Sequence, residues 1–208
     1  MKNHKTTITK FSKLKDVAEI RTGIVVTRLK MARSAKDSAY RLLNLKCMRD
    51  SGGLAVEYAE PLEVAERISD DCLTHVGDVL VRLSAPYTCA AIMNSNQEGY
   101  VVPSHFAIVR CKKEMLDAGY LYGYLQQDKI KKMILLNNSG SSAFGTIRSS
   151  FFSELDIPIL PLEQQKIIGR IAILGQREND LLQELSKETE RYNKLKLAQI
   201  YFDTIEEK

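Results

Sequence analysis

The residues with most capacity for chemistry are few and lie far apart along the chain. Gly140-Ser-Ser-Ala-Phe-Gly-Thr has the two-glycine spacing of a phosphate-binding loop, in which a lysine after the second glycine carries charge to the β and γ phosphates. Thr146 stands in the lysine's place, and the loop follows a helical pattern rather than a strand, so nucleotide hydrolysis is not expected. Ser84-Ala-Pro-Tyr has the outline of the Asn/Asp-Pro-Pro-Tyr loop of amino-methyltransferases, whose first side chain accepts from the target amino group. Serine is a poor acceptor there, and no glycine-rich cofactor loop follows a strand elsewhere. A metal-dependent nuclease needs an acid-x-Lys in a strand, and the one instance is Glu206-Glu-Lys at the chain end. No Gly-x-Ser-x-Gly is present, and no Cys or Ser has a His at a recognisable spacing. Cys47, Cys72, Cys89 and Cys111 form no Cys-x-x-Cys pair, and His4, His75 and His105 are well separated, so no metal ligand set is expected. The chain reads as non-catalytic, with no cofactor of its own.

What remains is binding. Its 208 residues, 44% hydrophobic, suffice for one ordinary domain and an appendage without staples. Residues 1–50 hold thirteen Lys and Arg against four Asp and Glu, whereas residues 51–156 hold nine against thirteen and residues 157–208 eight against nine. A basic front on a near-neutral chain is either a solvated surface or the electrostatic footprint of a polyanion partner. No run approaches the ~20 apolar residues of a membrane span, so a cytoplasmic, membrane-free protein with reduced thiols is expected.

The elements that must position these residues follow in order. Leu14, Val17, Ala18 and Ile20 share a helical face, with Ser12 as cap and Gly23 as stop. Tyr40 to Lys46 reads as a strand closed by the turn Asp50-Ser-Gly-Gly, and Leu62 to Ile68 fits a strand or a short helix. Val79 to Leu83, Ala90 to Met93, Tyr100-Val-Val and Phe106 to Cys111 read as strands, with Arg82 in a structural ion pair. From Asp117 to Asn137 the apolar period becomes that of one helix, followed by a loop rich in Gly, Ser and Thr.

From Pro161-Leu-Glu-Gln-Gln onward a long helix is expected, because proline suits a first turn and Glu163 the positive end of the helix dipole. Alternating steps of four and three trace a seam through Ile167, Ile171, Leu174, Leu181, Leu185, Tyr192, Leu195 and Phe202. Such a helix reaches about 65–70 Å at 1.5 Å per residue, too long to lack a partner. The competing reading folds it back on its own domain with a break at Gly175, and Gly175 to Asp180, poor in apolar residues, is where a bend is expected. The fold class is therefore α+β: a mixed-sheet domain over residues 1–160, then a long C-terminal coiled-coil helix over residues 161–208.

Four blocks together are more specific. Leu14-Lys-Asp-Val-Ala-Glu-Ile-Arg-Thr-Gly, Gly77-Asp-Val-Leu-Val-Arg, Tyr120-Leu-Tyr-Gly-Tyr-Leu, and Gly145-Thr-Ile-Arg followed by Leu155-Asp-Ile-Pro-Ile-Leu-Pro-Leu-Glu-Gln-Gln-Lys-Ile-Ile resemble, in order and spacing, the specificity subunit of type I restriction-modification systems. The resemblance implies a DNA target-recognition domain followed by a helical spacer that also docks other subunits. Members usually carry two such units with antiparallel helices, each reading half of a split site, whereas this chain holds one, so a homodimer reading two inverted half-sites is expected. The implied partners are double-stranded DNA, modification subunits that bind S-adenosylmethionine and methylate adenine, and the restriction subunit. On charge and loop placement the candidate DNA contacts are Arg28, Lys30, Arg33, Lys36, Arg41, Tyr87, His105, Ser141, Ser142, Thr146 and Arg148. A self-contained methyltransferase or nuclease, and a protein scaffold using the helix alone, are the alternatives.

Overall fold

The computed structural model describes residues 10–30, 38–49, 51–84, 90–136 and 147–206. Its elements are β1 (Lys10–Lys13), the one-turn α1 (Leu14–Val17), β2 (Ala18–Thr22), β3 (Ser38–Leu42), β4 (Glu60–Val64), β5 (Val79–Arg82), β6 (Ala90–Ile92) and β7 (Phe106–Cys111). Helices α2 (Ala118–Leu125), α3 (Asp128–Leu136) and α4 (Ser149–Ser153), strand β8 (Asp156–Ile159) and the long α5 (Leu162–Glu206) follow.

The central sheet is antiparallel in the order β2-β7-β5-β6, flanked by the pairs β1-β8 and β3-β4. Val79, Leu80 and Val81 form a continuous apolar run because both faces of β5 are covered. Val79, Val81, Ala107 and Val109 face a core shared with Leu121, Leu125, Ile134 and Phe152 of the helices. Leu80, Phe106 and Ile108 alternate to the other face and meet Leu43, Met48 and Val102. At the foot of β5, Gly77 takes φ +87°, and Asp78, 1% exposed, accepts from Arg110 Nε at 2.8 Å, Arg110 Nη2 at 2.9 Å and the His75 amide at 2.9 Å. The Gly-Asp of the second block is thus a turn and a buried ion pair, while Arg82 donates to Ser84 Oγ at 2.9 Å.

Several expectations need correction. The helix expected over residues 12–23 is only the turn Leu14–Val17: Ala18–Thr22 pairs antiparallel along β7, and a sheet edge outweighs a short local helical pattern. Gly23 is no helix stop either; a Cβ there would collide with the Val102 and Pro103 carbonyls, so it permits a close backbone approach. Tyr100-Val-Val is not a strand, since Val101 makes only isolated bridges to Leu42 and Leu73. The single helix expected from Asp117 is two, because the chain turns at Gln126, whose amide donates to the Ala90 carbonyl at 2.9 Å.

Helix α5 runs unbroken and its first turns dock on α2. Gln165, 1% exposed, accepts from the Asp117 amide at 2.9 Å and donates to the carbonyls of Leu160 at 2.8 Å and Met115 at 3.1 Å. The two helices touch through small residues: a Cβ on Gly123 would lie 2.8 Å from Ala172 Cβ, and one on Gly169 would strike Asp117 and the α2 backbone. Gly169→Val is therefore expected to cost about 1–3 kcal/mol, read as a lower urea midpoint. Gly175→Ala, with open space around the new methyl, should gain about 0.5–1 kcal/mol from the better helix propensity. The expected bend over Gly175 to Asp180 is absent because those residues are polar for another reason: Gln176 and Asp180 bond to the domain.

Cys47 is buried, and burial raises its thiol and pushes that of Cys111 up to about 12, with the Asp117 and Asp78 charges adding to the latter. Neither holds appreciable thiolate near pH 8. Iodoacetamide labelling mapped by mass spectrometry is expected to leave both unmodified in the native protein and to alkylate both after denaturation. Cys89 lies outside the described residues.

Candidate nucleic-acid interface

The strand register brings distant loops together at one end of the central sheet. Thr22 pairs with Ala107, Arg82 with Phe106 and Val81 with Ala90, so β2 and β5 finish where β6 and β7 begin. The loops at that end are tied by backbone bonds. The Leu83 amide donates to His105 O at 2.8 Å, the Ile147 amide to Leu83 O at 2.7 Å, and the Ser104 amide to Ile24 O at 2.8 Å. Residues from four separate stretches of sequence therefore share one surface.

Three candidate contacts lie on or beside these loops. Arg28, in a 3-10 turn over Val26–Arg28, His105, before β7, and Arg148, before α4, are all exposed. His105 lines a cleft of about 400 Å³ with Val26, Leu42, Asn44, Lys46 and Pro103. Lys46 is a cation that the sequence reading missed, although it belongs to the basic first fifty residues and follows Asn44, whose side chain caps the turn by accepting from the Lys46 amide at 2.9 Å. Arg28, Lys46 and Arg148 make no ion pair among the described residues.

Other candidates have partners within the domain. Lys30 is exposed and 3.2 Å from Glu66. Arg41 donates to the Ala59 carbonyl at 2.9 Å and lies over the Tyr100 ring, 5.9 Å from its centroid. Arg33, Lys36, Tyr87, Ser141, Ser142 and Thr146 lie outside the described residues, as does the loop with phosphate-binding spacing. The basic front is not one patch. Lys13 meets Asp156 at 2.9 Å, Lys15 meets Glu154 at 2.6 Å, Arg21 pairs with Asp71, and Arg49 meets Asp180 at 3.1 Å. The charge excess of the first fifty residues is thus partly neutralised by acids from later in the chain.

The opposite end of the sheet faces the root of α5. Asp78, Arg110 and Cys111, at the far ends of β5 and β7, line a cleft with Asp117 and Lys166. The seam points elsewhere: Ile167, Ile171, Leu174, Leu181, Leu185, Tyr192, Leu195 and Phe202 are each between 53% and 66% exposed. At 100° per residue, Ile167, Leu174, Leu181 and Leu185 fall about 160–200° round the axis from Gln165. Docking uses one face of α5, and the apolar stripe occupies the other.

The description "Type I restriction modification DNA specificity domain" matches residues 9–191. The chain belongs to this family. No curated protein matches it. Among solved structures, the HsdS subunit from Thermoanaerobacter tengcongensis is similar at 14% identity and TM-score 0.60, over 84% of this chain and 44% of that one. A chain from a structure of complex assembly and conformational transition in the type I R-M system gives 14% identity, TM-score 0.63 and the same coverage. The type I restriction-modification S subunit from M. genitalium gives 13% and 0.53, over 88% of this chain and 43% of that one. These likenesses are of fold, and the specificity domain spans less than half the length of each.

The fold of the specificity domain is α+β, as expected, with sheets followed by a long helix. Among the described residues no three His, Cys, Asp or Glu side chains are grouped to hold a metal ion, and no helix is long and apolar enough to cross a membrane.

Proposed function

We propose that this chain is the DNA-reading unit of a type I restriction-modification assembly, recognising one half-site and performing no chemistry itself. The supporting observation is the division of the molecule. Arg28, His105 and Arg148 lie on or beside loops tied together at one end of the sheet, with Lys46 and Glu60 lining the His105 cleft, while α5 roots at the other end and carries an uncovered apolar stripe away from it. Cations and polar side chains on short loops suit phosphate contacts that set register, with base-edge contacts beside them. The stripe suits a second copy of the chain, whose antiparallel helix would present an identical reading surface at the far end. The remaining faces of α5 suit modification subunits, which would bring S-adenosylmethionine and the methyl-transfer site, and through them the restriction subunit. Family membership and the similar folds support the DNA-specificity part of this reading.

The test is co-expression with the modification subunit of the same system and sequencing for methylated adenines. A single two-part motif with inverted, identical halves is the expected product. Methylation at no defined site, or a motif unchanged when this chain is exchanged for another specificity domain, overturns the reading.

A further inference from the structure

A second contact joins α5 to the turn that carries Arg49, Gly52 and Gly53, and it reaches the core through the Tyr122 hydroxyl. Arg49 Nη1 lies 3.1 Å from Asp180 Oδ1, and its Nη2 is 3.7 Å from Glu57. Gln176 Nε2 donates to Asp180 Oδ1 at 3.0 Å, and Gln176 Oε1 accepts from the Tyr122 hydroxyl at 2.9 Å. Gly52, at φ +98°, places its carbonyl 3.0 Å from the same hydroxyl. A Cβ on Gly53 would come within 2.8 Å of Asp180 Oδ2, so the turn lies directly against the carboxylate. The turn is itself closed by bonds between the Arg49 amide and Gly53 O, and the Gly52 amide and Arg49 O, each 2.9 Å.

This second anchor stands about 22 Å along the axis from Gln165, at 1.5 Å per residue. Packing on α2 holds the first turns of α5 as far as Ile173, and the second contact carries the constraint on to Asp180. Beyond Asp180, residues 181–197 are all exposed, and Gln183 and Lys187 line a shallow cleft with Arg49, Glu57 and Tyr58.

We propose that Arg49, Asp180 and Gln176 form a positioning brace that sets the angle at which the outer half of α5 leaves the domain, and thereby the spacer length between half-sites that the assembly accepts. The inference rests on the reading of the chain as a half-site unit. Its structural half is separable: the brace fixes direction whether or not DNA is bound.

The test uses Arg49→Ala, Asp180→Ala, and the exchange Arg49→Asp with Asp180→Arg in the full chain. Single-molecule energy transfer between dyes on azidophenylalanine at Glu98 and Glu190, with labelled chains diluted in unlabelled ones, reads the helix direction without DNA. The single variants should broaden the transfer distribution, and the exchange should narrow it again. Methylation by the complete complex of a library with fixed half-sites and varied spacer reads the consequence. The unaltered protein should modify one spacer length, and the single variants at least one neighbouring length within tenfold of it, with half-site preference and melting temperature unchanged. An unaltered transfer distribution, or an unaltered spacer profile in a variant whose distribution has broadened, overturns the brace. Failure of the unaltered protein to methylate any defined half-site would instead overturn the half-site reading.

Discussion

The variant carrying Leu181→Asp and Leu185→Asp is expected to remain monomeric at concentrations where the unaltered chain pairs. Both leucines flank the middle of α5, so in an antiparallel pair of full-length helices Leu181 of one copy lies near Leu185 of the other at the centre of the seam. Each is more than half exposed in the single chain, and neither packs in the domain's core clusters. Burying one leucine is worth about 1.5–3 kcal/mol, and the proposed pair of chains would bury four of them. Losing these, and placing carboxylates in a closed seam, weakens pairing by on the order of 6 kcal/mol or more, about 10⁴-fold at 1.4 kcal/mol per tenfold. Sedimentation velocity reads the outcome, with the domain's thermal transition as a control that should not move. Pairs that persist in the double variant would show that another surface holds the copies together.

Charge reversal at the loop end carries the second large effect. Arg28→Glu with Arg148→Glu should reduce affinity for the cognate duplex at least 10²-fold at fixed ionic strength, because in the proposed reading two attractive contacts with phosphate become two repulsive ones. The salt dependence should become shallower by about two in the logarithmic slope, at roughly 0.9 per phosphate contact. Both side chains are exposed and make no ion pair among the described residues, so the melting temperature is expected to stay put. Arg41→Glu is the contrast: its guanidinium serves the Ala59 carbonyl and covers Tyr100, so its removal should cost about 0.5–1.5 kcal/mol of stability. Binding titrations over a salt series, in the presence of modification subunits, distinguish the two. Affinity retained within a few-fold by the Arg28, Arg148 double variant would move the reading surface elsewhere.

Much of this molecule was legible in local pattern. β5 and β7 stood out because strands covered on both faces need apolar residues at successive positions, and α5 because a 3.5-residue repeat persists across it without proline. Where local pattern misled, a distant segment decided. Leu14 to Ile20 has a helical period, but β7 offers β2 an unpaired edge. Gly175 to Asp180 looked like a weak point in the helix, but its polar residues meet a turn more than a hundred positions earlier in the chain. Gln165, the anchor of α5, carried no signal as a buried residue, since glutamine at a helix start is ordinarily solvated. Its partners are three backbone groups that only folding brings to it.

The sequence by itself determined the α+β class, the length of α5, the stripe along it and the family, because each depends on residues that are neighbours along the chain or on motifs in fixed order. The tertiary structure alone decided which cations share a surface. Arg28, His105 and Arg148 converge because strand register places their loops at one end of the sheet, while Lys13, Lys15, Arg21 and Arg49 meet acids and drop out of the basic front. Charge counted along the chain carries no information about which acid will lie within 4 Å of which base, since that pairing depends on contacts between residues far apart in sequence.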